Sequence, residues 1–99
     1  MLFTIGFASE AIEKRFEKDL DRIDRLAQER IMSAIEGLSA EPRPPGKKFK
    51  LLKPPVAIFS FVAEYPLRVG GWRILYNIDD KTGRIFLIAI RRRSEKTYG

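Results

Sequence analysis

The 99-residue sequence contains no cysteine and no histidine. Disulfides, thiol nucleophiles, zinc fingers and every histidine-based acid–base pair are thereby excluded. It also lacks an unbroken apolar run of about 18 residues, the least a membrane-spanning helix needs. The opening MLFTIGFASE has no basic stretch and no cleavage signal, which predicts a cytosolic protein. What remains is 44% apolar and 32% charged residues, the composition of a chain that folds around a core. The length predicts a single domain over residues 1–99, near the common domain size of roughly 100–150 residues.

Charge is distributed unevenly. Residues 1–41 carry six Lys/Arg against nine Asp/Glu, whereas residues 42–99 carry thirteen against four. The formal net charge of +6 is therefore the sum of an acidic first part and a strongly basic second part. A basic half of this kind attracts a phosphate-rich partner, since each neutralised phosphate releases counterions. A merely cationic, solvated surface is the competing reading.

Hydrophobic periodicity divides the chain in the same place. Residues 2–7 suit a short first strand, and Ser9 reads as the cap of a helix whose first turn holds Glu10 and Glu13. Ala11, Ile12, Phe16 and Leu20 recur at helical spacing, and Asp19 or Asp21 is the expected break before a second helix. There, Ile23, Leu26, Ala27, Ile31, Ala34, Ile35 and Leu38 form one apolar stripe, ended near Gly37 and Pro42. Two antiparallel helices are expected, with a single bent helix as the alternative. A loop rich in Pro and Gly over residues 39–48 follows, and Pro54-Pro55 marks a second interruption. From there the period changes to two. Residues 56–63 read as an apolar strand, continued by residues 65–69 past an irregularity at Pro66. Gly70-Gly71 makes a tight turn into a strand over residues 72–78. Residues 79–83 form a hairpin loop before a last strand over residues 84–91. The predicted class is α+β, in the order β-α-α-β-β-β, an antiparallel meander with a helical pair packed on one face. The stretch 56–63 is uncharged, apolar and strand-forming, so it must be covered by the core, by a second subunit or by another protein.

Strand alternation sorts the side chains. Trp72, Ile74, Tyr76 and Ile78 share the expected core face, and Arg73, Leu75 and Asn77 the opposite one. A tight turn at Gly70-Gly71 makes Arg68 and Arg73 near neighbours, and like charges so placed repel unless an anion lies between them. With Arg91, Arg92 and Arg93 at the end of the last strand and Tyr98 downstream, three strand ends bring cations towards one region. Solvated arginines and a basic tail are the plainer alternative. Lys47, Lys48, Lys50 and Lys53 form either a second phosphate track or a solubilising stretch. Asp79 and Asp80 read as turn chemistry. No phosphate-binding glycine loop, metal-ligand cluster or usefully spaced carboxylate pair is present.

These residues carry a resemblance. The run Arg68-Val69-Gly70-Gly71-Trp72-Arg73-Ile74-Leu75-Tyr76, the strand ending Arg91-Arg92-Arg93-Ser94-Glu95 and the final Tyr98 resemble the RelE/ParE toxin superfamily. The proline-containing loop Glu41-Pro42-Arg43-Pro44-Pro45-Gly46 and the β-α-α-β-β-β order extend the similarity over nearly the whole chain. The resemblance implies a small cytoplasmic toxin of a type II toxin–antitoxin module, held inactive by a co-encoded antitoxin and causing growth arrest when freed. Its RelE-like branch cuts messenger RNA on the ribosome without metal or cofactor; its ParE-like branch poisons DNA gyrase. A decayed toxin that only binds antitoxin or nucleic acid is a third reading, and a homodimer is compatible with each. Carried over by position, Arg73 holds the scissile phosphate and Tyr98 orients or deprotonates the 2′-hydroxyl. The last-strand arginine falls on Arg92 or Arg93. Arg68 matches the second basic position of the strand before the turn, while Arg91, Lys47, Lys48, Lys50 and Lys53 are phosphate-binding candidates on charge and placement alone. Pro66 stands where relatives place a basic residue, a histidine common near the last strand is missing, and residues 51–64 are longer and more apolar than the usual connection.

Overall fold

The computed structural model describes residues 2–43, 51–52 and 54–92. In chain order the elements are β1 (Thr4–Phe7), α1 (Glu10–Asp21), α2 (Arg25–Gly37), β2 (Val56–Ile58), β3 (Phe61–Ala63), β4 (Tyr65–Val69), β5 (Trp72–Asp79) and β6 (Arg84–Arg92). No helix among them is long and apolar enough to cross a membrane.

Local chemistry sets the helix limits. Ser9 is extended at φ −159°, and its Oγ accepts a hydrogen bond from the Ile12 amide at 3.1 Å, which starts α1 as its sequence predicts. Helix α1 ends at Asp21, one of the two expected positions, but neither Asp19 nor Asp21 caps the second helix. Asp24 caps α2 by accepting from the Ala27 amide at 3.1 Å, whereas Asp19 pairs with Arg15 along the exposed side of α1. Burial decides the difference, because Ile23 is driven into the core and the chain turns around it. Gln28 then fastens the turn, its side-chain amide donating to the carbonyls of Leu20 at 2.8 Å and Ile23 at 2.9 Å.

The two helices lie against a four-stranded sheet of order β1-β6-β5-β4, an α+β arrangement. Three features depart from a plain meander. First, β1 runs parallel to β6, pairing Thr4 with Arg84 through Phe7 with Leu87. The long excursion through both helices permits this, since a parallel pair needs a crossover that a tight turn cannot supply. Second, residues 56–69 are not one continued strand. Residues 56–63 fold back as a separate antiparallel hairpin, β2–β3, which turns at Phe59 and Ser60, and only β4 joins the main sheet. Third, β6 carries a bulge: Leu75 pairs with Ala89 but Tyr76 pairs with Leu87, leaving Ile88 as the extra residue.

Both faces of the sheet are consequently covered. On one, Ile74, Tyr76, Ile85, Leu87 and Ile90 pack with Phe16, Ile23, Ile31, Ile35 and Leu38 from the helical segment. On the other, Leu75, Ile88 and Ala89 pack with Ile12 and Ala63, joined by Val56, Ile58 and Phe61 of the hairpin. The apolar stretch 56–63 thus buries alternate residues and leaves Phe59 and Val62 exposed. Asn77 clamps the hairpin down: its side chain accepts from the Glu64 amide at 2.8 Å and donates to the Val62 carbonyl. Pro66 is tolerated because β4 is an edge strand, where a missing N–H interrupts no ladder.

Candidate nucleic-acid interface

Sheet register builds the candidate site. Gly70 sits at φ 58°, the left-handed conformation that the first central residue of a two-residue hairpin turn requires. That turn pairs Val69 with Trp72 and therefore Arg68 with Arg73. On the other side of β5, Arg73 pairs with Arg91. Residues directly opposite in a sheet project to the same face, with Cβ atoms about 4.5–5.5 Å apart. Arg68, Arg73 and Arg91 hence form a row across three adjacent strands. The row occupies the face on which the β2–β3 hairpin lies, one step beyond Pro66, Leu75 and Ala89. Arg68 and Arg91 are exposed; Arg73, at the centre, is half-buried, with its Nε shielded from solvent. Three like charges in register repel, and a bound anion would relieve that repulsion.

The sheet separates Arg92 from the row. It pairs with Trp72 and lies over that indole at 5.1 Å, on the face towards the helices. The bulge at Ile88 is the reason, since it shifts all later β6 residues by one place against β5. Continued without a bulge from the Tyr76–Leu87 pair, the ladder would have put Ile90 opposite Arg73. Arg93, Tyr98, Lys47, Lys48, Lys50 and Lys53 lie outside the described residues. A shallow depression at the start of α1, lined by Glu10, Glu13 and Glu17 with Phe7, Ser9 and Lys14, has the wrong charge for phosphate.

Residues 11–97 match the family described as the ParE toxin of the type II toxin–antitoxin system parDE. The chain belongs to that family. Its fold is that of RelE proteins as well. A chain of the archaeal RelE–RelB complex from Pyrococcus horikoshii superposes with a TM-score of 0.69 at 20% identity, over 96% of this toxin and 99% of that chain. A chain of the RelBE2 toxin–antitoxin complex from Mycobacterium tuberculosis gives 0.66 at 21% identity, covering 96% and 95%. A free, doubly arginine-substituted RelE toxin of Escherichia coli gives 0.61 at 18% identity, covering 95% and 86%. Among curated proteins, none matches the toxin by sequence.

Two features of the toxin escape a reading of its sequence. Asp80 does more than shape a turn. Asp79 does that work, accepting from the amides of Lys81 and Thr82. Asp80 instead takes both terminal nitrogens of Arg43, at 3.2 and 2.8 Å. Arg43 also reaches the Tyr65 hydroxyl at 3.4 Å and covers its ring. Tyr65 stacks on Tyr76, whose hydroxyl donates to the Pro42 carbonyl at 2.7 Å. This group fastens the chain beyond α2 to one end of the sheet, and no local pattern announces a pairing between residues so distant in sequence. Phe59, at the turn of the hairpin, is the second feature.

Protonation follows from these contacts. Burial pushes the Tyr76 phenol well above its ordinary range, keeping it a neutral donor. Hydrogen bonds from Arg43 hold the Asp80 carboxyl below the usual carboxylate range. A carboxyl that binds its proton less readily when folded stabilises the fold above the unfolded pKa and loses that effect as pH falls through the folded one. The melting temperature of the wild-type toxin is expected to decline on acidification below about pH 4. Asp80→Asn is expected to melt lower at neutral pH and to decline less on acidification. Parallel curves for the two proteins in a thermal titration would contradict this.

Proposed function

We propose that the toxin is an endoribonuclease acting on messenger RNA held by the ribosome, and that its arginine row grips the scissile phosphodiester. The observation that carries this reading is the alignment of Arg68, Arg73 and Arg91 across β4, β5 and β6. In such a reaction the 2′-hydroxyl loses its proton to a base and its oxygen attacks the neighbouring phosphorus. The bond from phosphorus to the 5′-oxygen breaks, leaving a 2′,3′-cyclic phosphate and a 5′-hydroxyl that takes up a proton. Negative charge grows on the non-bridging oxygens meanwhile, and fixed cations aimed there lower the barrier. Arg73, central and half-buried, fits this role best, with Arg68 and Arg91 holding the phosphate from either side. Tyr98 would orient or deprotonate the 2′-hydroxyl. A tyrosine near its free pKa of about 10 needs neighbouring cations to act as a base.

An antitoxin is the expected partner, as in the RelE–RelB and RelBE2 complexes that share the fold. An acidic amphipathic segment would suit a surface that combines arginines with exposed apolar groups. A second reading, inhibition of DNA gyrase, is favoured by the match to the ParE family and by Pro66, buried where a further cation would serve a nuclease. One induction experiment separates the two. Expression without antitoxin should produce new transcript ends within coding regions and leave plasmid supercoiling unchanged. Relaxed plasmid with intact transcripts would replace the nuclease by the gyrase inhibitor, and harmless expression would leave a binding protein only.

A further inference from the structure

The β2–β3 hairpin has a turn of two residues, and Phe59 is its first central residue, with a φ of 55°. It is the one non-glycine residue with positive φ among the described residues. Glycine belongs in this place, as at Gly70 of the other hairpin, because a β-carbon there strains the backbone. A contact made by the ring could compensate for such strain, yet Phe59 is 64% exposed. The rest of the hairpin is not loose: Val56, Ile58, Phe61 and Ala63 pack on the sheet, and Asn77 ties its backbone down. The fold therefore presents an aromatic ring to solvent from an anchored turn, on the sheet face that bears the arginine row.

Cations that hold a sugar–phosphate backbone and an aromatic side chain that receives a base are the two parts of a single-strand binding surface. We infer that Phe59 is a nucleobase-stacking residue, and that the hairpin seats a base of the same RNA strand whose phosphate the arginines hold. The inference rests on the phosphate reading of the arginine row and adds to it a contact with the base. Stacking tolerates any base, so Phe59 would supply affinity and strand placement rather than sequence choice. The conformational strain is then retained because glycine, which would relieve it, has no ring.

Binding of a labelled oligoadenylate, and of an abasic oligomer of equal length with the same phosphates, tests this by fluorescence anisotropy. Phe59→Gly is expected to weaken oligoadenylate binding about tenfold, to leave abasic binding unchanged, and to raise the melting temperature by about 5 °C. Phe59→Trp is expected to retain oligoadenylate binding. Arg73→Ala should weaken both oligomers alike. If Phe59→Gly changes neither, or both equally, the stacking role is overturned, while the Arg73→Ala result independently upholds or removes the phosphate site. A loss confined to the complex with the co-encoded antitoxin would assign Phe59 to a protein interface instead. Absence of wild-type binding to oligoadenylate would likewise overturn the inference.

Discussion

Arg73→Ala is expected to reduce transcript cleavage about 100- to 1000-fold, the usual effect of removing one fixed donor to a developing oxyanion. The expectation follows from position. Arg73 is the only member of the row with an arginine in register on each side, and it is the least exposed of the three. Partial burial sharpens its interaction with an anion, because less water screens the charge. Fold stability should survive the change, since Arg73 belongs to neither of the two apolar clusters that make the core. Single-turnover cleavage of ribosome-bound message, beside a thermal melt, measures both. An Arg73→Ala toxin that still cuts at the wild-type rate would remove the proposed site, and one that is unfolded would be uninformative about chemistry. Arg73→Lys covers that case: it keeps the charge but loses the planar fork, so cleavage should recover only in part.

Adjacent arginines on β6 are expected to behave very differently. Arg91→Ala should lower cleavage about 100-fold, because the side chain stands in the row beside Arg73. Arg92→Ala should leave cleavage within a few-fold of wild type. It removes a cation from the face of Trp72, worth about 0.5–1 kcal/mol at an exposed site. The loss should therefore appear in stability. If the two variants were equally defective in cleavage, the phosphate would not be held on the hairpin side of the sheet. This contrast departs from the family position match, which falls on Arg92 or Arg93; the bulge at Ile88 is what sets Arg91 rather than Arg92 on the face of Arg73.

That bulge shows where a sequence becomes illegible. The pairing of Arg68 with Arg73 could be read directly, because Gly70-Gly71 admits one tight turn and the turn fixes the register. Ser9 could likewise be read as a cap, its side chain competing locally for an amide. The partner of Arg91 depends on an extra residue inside an apolar run in which Phe86, Leu87, Ile88, Ala89 and Ile90 all suit either face. Alternation carries no information there, and packing of Ile88 against Ile12 and Leu75 settles the matter. The hairpin at Phe59 was hidden for a related reason. A turn without glycine, asparagine or proline leaves no signal, so residues 56–69 look like one strand. The parallel placement of β1 and the link between Arg43 and Asp80 depend on contacts between distant parts of the chain, which periodicity does not register.

Pairing of β1 with β6 joins the first and the last of the described strands. A growing polypeptide cannot complete this sheet until its final strand has been made, and contacts of such long range also slow folding. Arg91 arrives on that same last strand. A copy that lacks β6 therefore has only Arg68 and Arg73 in register, and the row of three cannot assemble until β6 has been made and paired with β5.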